Sequence, residues 1–209
     1  PMRSLAPVAR SGARLRAARR ARGGALALLL TLTGCASYPP LPAVEGLDLE
    51  RFMGDWYVQA HIPLGAEKEA YNGVESYALD ARGRVLTSYV FRKGGFDGEI
   101  EVKEPVGFVS EASNAVWGMQ FLWPFKAEFL VAHVDADYGE TIIARTKRDY
   151  AWIMTRAPEI ADERLAELTQ RLVGMGYDTS ELRRVPQRWP EPEHPVTRAG
   201  GSLATYTRR

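Results

Sequence analysis

Arg51-Phe52-Met53-Gly54-Asp55-Trp56-Tyr57-Val58-Gln59-Ala60 reads as a polar turn that gives way at Gly54 to a strand. Tyr57 and Val58 favour extended backbone, and Trp56 is too large to leave in water where a folded domain begins. Glycine beside a bulky aromatic suits backbone that passes close under a ring. These residues alone define a first strand with a buried Trp. Whether that ring plugs the closed end of a barrel depends on the rest of the chain.

Period-two patterning continues for nearly a hundred residues, roughly as long as eight short strands and their turns. A second strand at 73–79 puts Glu75 and Tyr77 on one face, and Asp80-Ala81-Arg82-Gly83 makes a tight turn. The third, 84–92, aligns Val85, Thr87, Tyr89 and Phe91. A glycine-rich turn leads to the fourth, 99–109, where Pro105 demands an edge or a bulge. The fifth, 115–122, alternates Trp117, Met119 and Phe121; a loop at Trp123-Pro124-Phe125 follows. The sixth, 128–134, alternates Phe129, Val131 and His133. The seventh, 140–145, is short, and the eighth, 150–156, alternates Tyr150, Trp152 and Met154.

One helix follows at about 159–173, with Pro158 near its start and acids in its first turn. Ile160, Leu165, Leu168, Leu172 and Val173 form its apolar stripe, and Gly174-Met175-Gly176 ends it. A short segment at 177–185 packs on the body. From Pro186 four prolines, two glycines and polar residues argue for a disordered tail, and the division is set at 48–189 for the folded domain and 190–209 for the tail. Ahead of the first strand, Asp48 caps a single helical turn. Without helices between strands, parallel crossovers are excluded. The fold class is all-β, with the helix added late. An eight-stranded antiparallel sheet removes its edges by closing into a barrel with room for one small ligand; a sandwich is the other solution.

The segment before this domain has a different character. Residues 1–22 hold seven arginines and no acid, and the apolar run 23–32 is shorter than the roughly 20 residues of a membrane span. Leu32-Thr33-Gly34-Cys35 follows, so 1–34 reads as a secretory leader. Leu-Thr-Gly-Cys resembles the bacterial lipobox, which implies that Cys35 is the lipid-attachment residue and that Ala36 after it favours the outer membrane. Residues 35–47 then form a proline-rich tether. The whole chain carries 27 Lys and Arg against 26 Asp and Glu; without the leader's seven arginines the balance is 20 against 26, a net of −6. The chain's pI near 8.4 therefore belongs to the leader, and no basic patch for nucleic acid remains. With one cysteine in 209 residues, no disulfide forms within the chain, and about 150 residues suffice for an unaided core.

Gly54-Asp55-Trp56-Tyr57, Asp135-Ala136-Asp137-Tyr138 and Asp149–Pro158 together resemble the three signatures of the lipocalins, in their bacterial outer-membrane branch. The resemblance spans about 46–189. It implies an eight-stranded up-and-down barrel with an apolar interior, one end capped by the chain before the first strand, and the helix packed outside. It implies that Gly54, Trp56, Asp135, Asp137 and Tyr138 are motif residues and that Arg156 lies over Trp56. It also implies a small apolar or amphipathic ligand, among them fatty acids, phospholipids and lysophospholipids, and a role in envelope maintenance under stress.

The inward faces deduced from alternation supply the candidate ligand residues: Tyr77, Tyr89, Phe91, Trp117, Met119, Phe121, Phe129, Val131, His133, Tyr150, Trp152 and Met154. Apolar walls with a few hydroxyl tips suit an acyl chain with a polar head. The same rings filling the core would leave a structural lipoprotein with no cavity. Glu75 on an inward face is unusual; it sits at the mouth or pairs with Arg84 or Arg92. For catalysis there is no nucleophile elbow, no cysteine left free and no phosphate loop. His61, His133 and His194 lack metal-ligand spacing, so neither metal nor cofactor is expected. His61 and Glu69 flank a loop, but many pairs do as much. The expected partners are a lipid and, through the anchor, a membrane; pairing of two barrels into a homodimer stays open.

Overall fold

A computed structural model describes residues 38–191, which lie in one compact unit with its own core. The leader, Cys35 and the segment 192–209 lie outside the described residues.

The helical turn α1, Leu49–Phe52, is capped as the sequence requires: the Asp48 side chain accepts a hydrogen bond from the Arg51 amide. The sheet then winds in sequence order. Its strands are β1 (Gly54–Ile62), β2 (Ala70–Leu79), β3 (Arg84–Lys93), β4 (Ile100–Lys103), β5 (Val106–Ser110), β6 (Ser113–Leu122), β7 (Phe125–Val134), β8 (Glu140–Ala144) and β9 (Ala151–Thr155). All neighbours are antiparallel, and β9 returns to pair with β1, which closes the barrel. β4 and β5 both pair with β3 and are one strand interrupted at Glu104-Pro105, where proline withholds its ladder donor. Counted that way the barrel has eight strands. The sixth strand begins at Phe125, earlier than the sequence suggests, so Trp123-Pro124 is a tight hairpin turn.

Closure is accompanied by bulges. Register shifts fall between Val58 and Ala60, Tyr71 and Val74, and Val131 and His133. Each re-aims the side chains beyond it. Val58 therefore lies in the interior cluster while Ala60 lies in the outer one.

Helix α2, Asp162–Gly174, packs outside, burying Leu168 and Leu172 against Ala60, Ile142 and Ile153. It starts later than the acids at 159–163 suggest. The Gln59 amide ties the Ala157 and Pro158 carbonyls to the barrel and holds that stretch out of the helix. Val173 lies 45 % exposed, a turn of about 100° from Leu172, and drops out of the apolar stripe.

The expectation of a tail disordered from Pro186 is corrected for residues 186–191. The short strand β10, Arg183–Arg184, pairs with β1. Beyond it the Gln187 amide donates to the Val58 carbonyl across the β1 bulge, and Asn72 exchanges hydrogen bonds with Arg188. Trp189 meets Tyr57 edge to face at 5.2 Å, and Glu191 pairs with Arg92 at 2.6 Å. Bulges leave backbone groups without ladder partners, and this segment supplies them.

Candidate functional site: the open end of the barrel

The two ends of the barrel differ. At the closed end the Trp56 ring is fully buried, and its indole N–H donates to the Phe52 carbonyl at 2.9 Å. The Arg156 guanidinium lies 3.8 Å from the ring centroid and donates to the carbonyls of Arg51, Phe52, Met53 and Asp55. It thereby satisfies the carbonyls at the C-terminus of α1, and its stacking on the indole contributes about 1 kcal/mol. Gly54 has φ +95°, and a Cβ there would sit 3.2 Å from the Arg156 Nη1, so glycine is required twice over. Asp135 accepts from the Gly139 and Glu140 amides, and Tyr138, with φ +57°, accepts from the Asp48 amide through its hydroxyl. Asp137 is exposed in the turn. The three sequence motifs are one plug.

Aromatic rings fill the space above it. Trp117 and Phe129 stack at 4.7 Å with 6° between planes, and Tyr77 packs between Phe52 and Trp117. Phe91, Val131 and Met154 are buried in the same cluster. Tyr77, Phe91, Trp117, Val131 and Met154 therefore face inward as alternation predicts, but they pack the core and do not line the cavity.

The cavity lies towards the mouth. Its volume is about 70 Å³, against roughly 300–1,000 Å³ for pockets that enclose a drug-sized ligand. Six of the sequence-predicted residues line it: Tyr89, Met119, Phe121, Phe129, Tyr150 and Trp152. His133 is a correction. The bulge before it turns it to the outer face, where its Nε2 is 3.5 Å from Glu140 and it feels the cation of Arg171 on α2.

Sequence reading missed a polar group on the same wall. Across β1 to β4 the register sets Trp56, Glu75, Tyr89 and Lys103 side by side. Glu67, from the 3-10 turn Gly65–Glu69, reaches in and pairs with Lys103 at 2.8 Å. Glu75 pairs with neither Arg84, which is held by Asp80, nor Arg92. Burial, then the nearby Glu67 charge, pushes the Glu75 carboxyl well above its usual range, which favours its protonated form. Burial also keeps the Tyr89 and Tyr150 hydroxyls protonated. Five lining residues carry a buried atom with no hydrogen-bond partner among the described residues: Glu67 Oε2, Glu75 Oε2, Tyr89 OH, Arg145 Nε and Trp152 Nε1. His61, opposite Trp152 in the ladder, is buried with both ring nitrogens unpartnered; desolvation first, then Arg183 and Lys103, lowers its pKa to about 3. It is therefore neutral at pH 7, whereas Glu69 is exposed.

A closed eight-stranded antiparallel barrel, plugged by a Gly-x-Trp strand under an arginine, open at the other end and carrying one outer helix, defines a lipocalin-type binding protein. The model of the lipocalin-like domain matches residues 47–187, and the chain belongs to that family. It is 28 % identical over 162 residues to temperature-induced lipocalin-1 of Arabidopsis thaliana, covering 73 % of this chain and 86 % of the relative. It is 26 % identical over 168 residues to the outer membrane lipoprotein Blc of Escherichia coli K12, covering 78 % and 93 %. Among solved structures, the cockroach allergen Per a 4 superposes with a TM-score of 0.54 at 16 % identity, covering 73 % of this chain and 96 % of the allergen. Apocrustacyanin C2 gives 0.54 at 13 %, covering 72 % and 91 %. These structural matches share the barrel. Proteins of this family are typically binders of small hydrophobic ligands.

Proposed function

We propose that this protein is a lipid-anchored lipocalin of the bacterial outer membrane that binds and carries one small amphipathic lipid in envelope maintenance. The single observation behind this reading is the mouth cavity, where apolar rings face a set of buried polar atoms with no partner among the described residues. A buried polar group without a partner costs about 1–3 kcal/mol, so a ligand whose head group supplies partners is favoured over a plain hydrocarbon. Donors dominate the wall: the Trp152 N–H, the Arg145 Nε–H and the Tyr89 O–H. They suit an acceptor-rich head, such as a carboxylate, ester or phosphate. The acyl chain then lies along Tyr89, Met119, Phe121, Phe129 and Tyr150 after Met119 and the half-open Phe121 swing aside. Residues 1–34 act as the leader and Cys35 carries the anchor, which accords with the lipoprotein relatives.

Mass spectrometry of the protein isolated from the membrane fraction tests both parts. The expected result is an acylated N-terminal Cys35 together with a non-covalently held fatty acid, phospholipid or lysophospholipid. An unmodified Cys35 refutes the anchor; folded protein without any lipid refutes the carrier. The small cavity and the Trp117–Phe129 stack favour one second reading, a filled barrel with a structural role, and that outcome would support it.

A further inference from the structure

The exposed apolar surface is unevenly placed. Of the eight large apolar side chains exposed among the described residues, six lie at the mouth: Tyr38, Leu64, Phe121, Leu122, Trp123 and Phe125. Leu79 is at the opposite end and Val173 on α2. The β6–β7 hairpin carries four of the six. Phe121, Leu122, Trp123 and Phe125 are 62 %, 72 %, 80 % and 73 % exposed, and the stretch 121–125 contains no charge. Lys126, the next residue, folds back so that its Nζ lies 3.5 Å from the Phe108 ring centroid, which leaves the tip wholly apolar. Phe121 belongs both to this tip and to the cavity wall, so the patch is continuous with the binding site.

The start of the domain lies at the same end. The Arg148 guanidinium, in the turn between β8 and β9 at the mouth, lies 5.3 Å from the Tyr38 ring centroid and donates to the Pro39 carbonyl at 2.6 Å. From there the chain runs down the outside, where the Val44 amide donates to the Val131 carbonyl, to reach α1 at the closed end. Cys35 precedes Tyr38 by three residues, a reach of about 10 Å at full extension.

We propose that the mouth of the barrel docks on the lipid surface of the membrane, with the hairpin tip Phe121–Phe125 inserted at the boundary between head groups and acyl chains. Exposed aromatic residues settle at that depth because an apolar body and a wet interface are both satisfied there. A tether at Cys35 and the apolar tip then hold one rim, so the cavity opens against the bilayer and a lipid passes between membrane and barrel without crossing water. The orientation rests on the anchor reading; the tip does not.

The chain beginning at Ser37 lacks leader and anchor but keeps the compact unit, so it separates the two. Flotation with vesicles of phosphatidylethanolamine and phosphatidylglycerol reads its binding directly. The unanchored protein is expected to float with the vesicles, with a blue shift in Trp emission. The double variant Trp123→Ser/Phe125→Ser should bind about tenfold or more weakly. It should also lose the blue shift, while its circular dichroism and thermal midpoint remain unchanged. The proposal is overturned if the unanchored protein stays unbound, or if the double variant binds as well as the parent. It is equally overturned if the parent forms a dimer that the double variant loses and shows no vesicle binding, since a second copy would then cover the tip. An acylated Cys35 beside a non-binding domain leaves the anchor standing and removes the docking tip.

Discussion

Trp56 in the first strand and Arg156, the residue after the last, meet at the closed end of the barrel, with the guanidinium 3.8 Å from the ring centroid. Replacing Trp56 with Ala removes a fully buried ring together with the surface on which Arg156 stacks. The expected loss is about 3–5 kcal/mol in urea unfolding, and an unchanged midpoint would remove the ring from the core. Glu75 carries a different test. Its folded pKa is raised, so its contribution to stability is whole below the ordinary value of 4.5 and declines as pH rises through the folded value. Glu75→Gln should therefore unfold less readily than the parent at pH 7–8 and lose that advantage near pH 4, read as urea midpoints across pH. Equal midpoints at every pH would show that the carboxyl is not buried as a proton-bearing acid. The plug was legible because its residues are consecutive in each motif. The polar wall was not: Glu67 comes from a 3-10 turn with no periodicity, and Lys103 sits in a half-strand, Ile100–Lys103, whose charged residues break the apolar alternation. Only Glu75 stood out, as a carboxylate on an apolar face.

At the scale of elements, alternation recovers all eight strands, because each has one face on the barrel interior. It fails where a bulge intervenes. His133 reads as inward by counting from Phe129, and one extra residue at Ala132 turns it outward under α2. The same kind of bulge in β1 and β2 creates the seat of the C-terminal segment, which composition alone marks as disordered. Ending the chain after Val185 removes the Gln187, Arg188 and Glu191 contacts and strands the Asn72 side chain. At about 1 kcal/mol for each of these four hydrogen bonds, the expected cost is about 4 kcal/mol, or about 8–16 °C in Tm for a domain of this size. A Tm unchanged by the truncation would mean that the segment rides passively on the barrel.

For the whole molecule, the division of labour runs along the barrel axis. Motif residues and stacked rings fill the closed half, which fixes the shape. The mouth half holds a small cavity, unpartnered polar atoms and the exposed hairpin, which together suit a lipid that enters from a surface. The inward aromatic set was legible as a set, yet three of its eight Tyr, Phe and Trp rings, Tyr77, Phe91 and Trp117, serve packing alone, since period-two reading locates a face but not a depth along it. The central claim is that the mouth cavity accepts an amphipathic lipid. Titration of the chain beginning at Ser37 with lysophospholipid or fatty acid, followed by Trp emission, tests it most directly because Trp152 lines the cavity. Saturable quenching at one lipid per barrel, lost in Trp152→Phe and weakened in Lys103→Ala, is the expected result. Folded protein whose emission does not respond at any lipid concentration below the critical micelle concentration would contradict it.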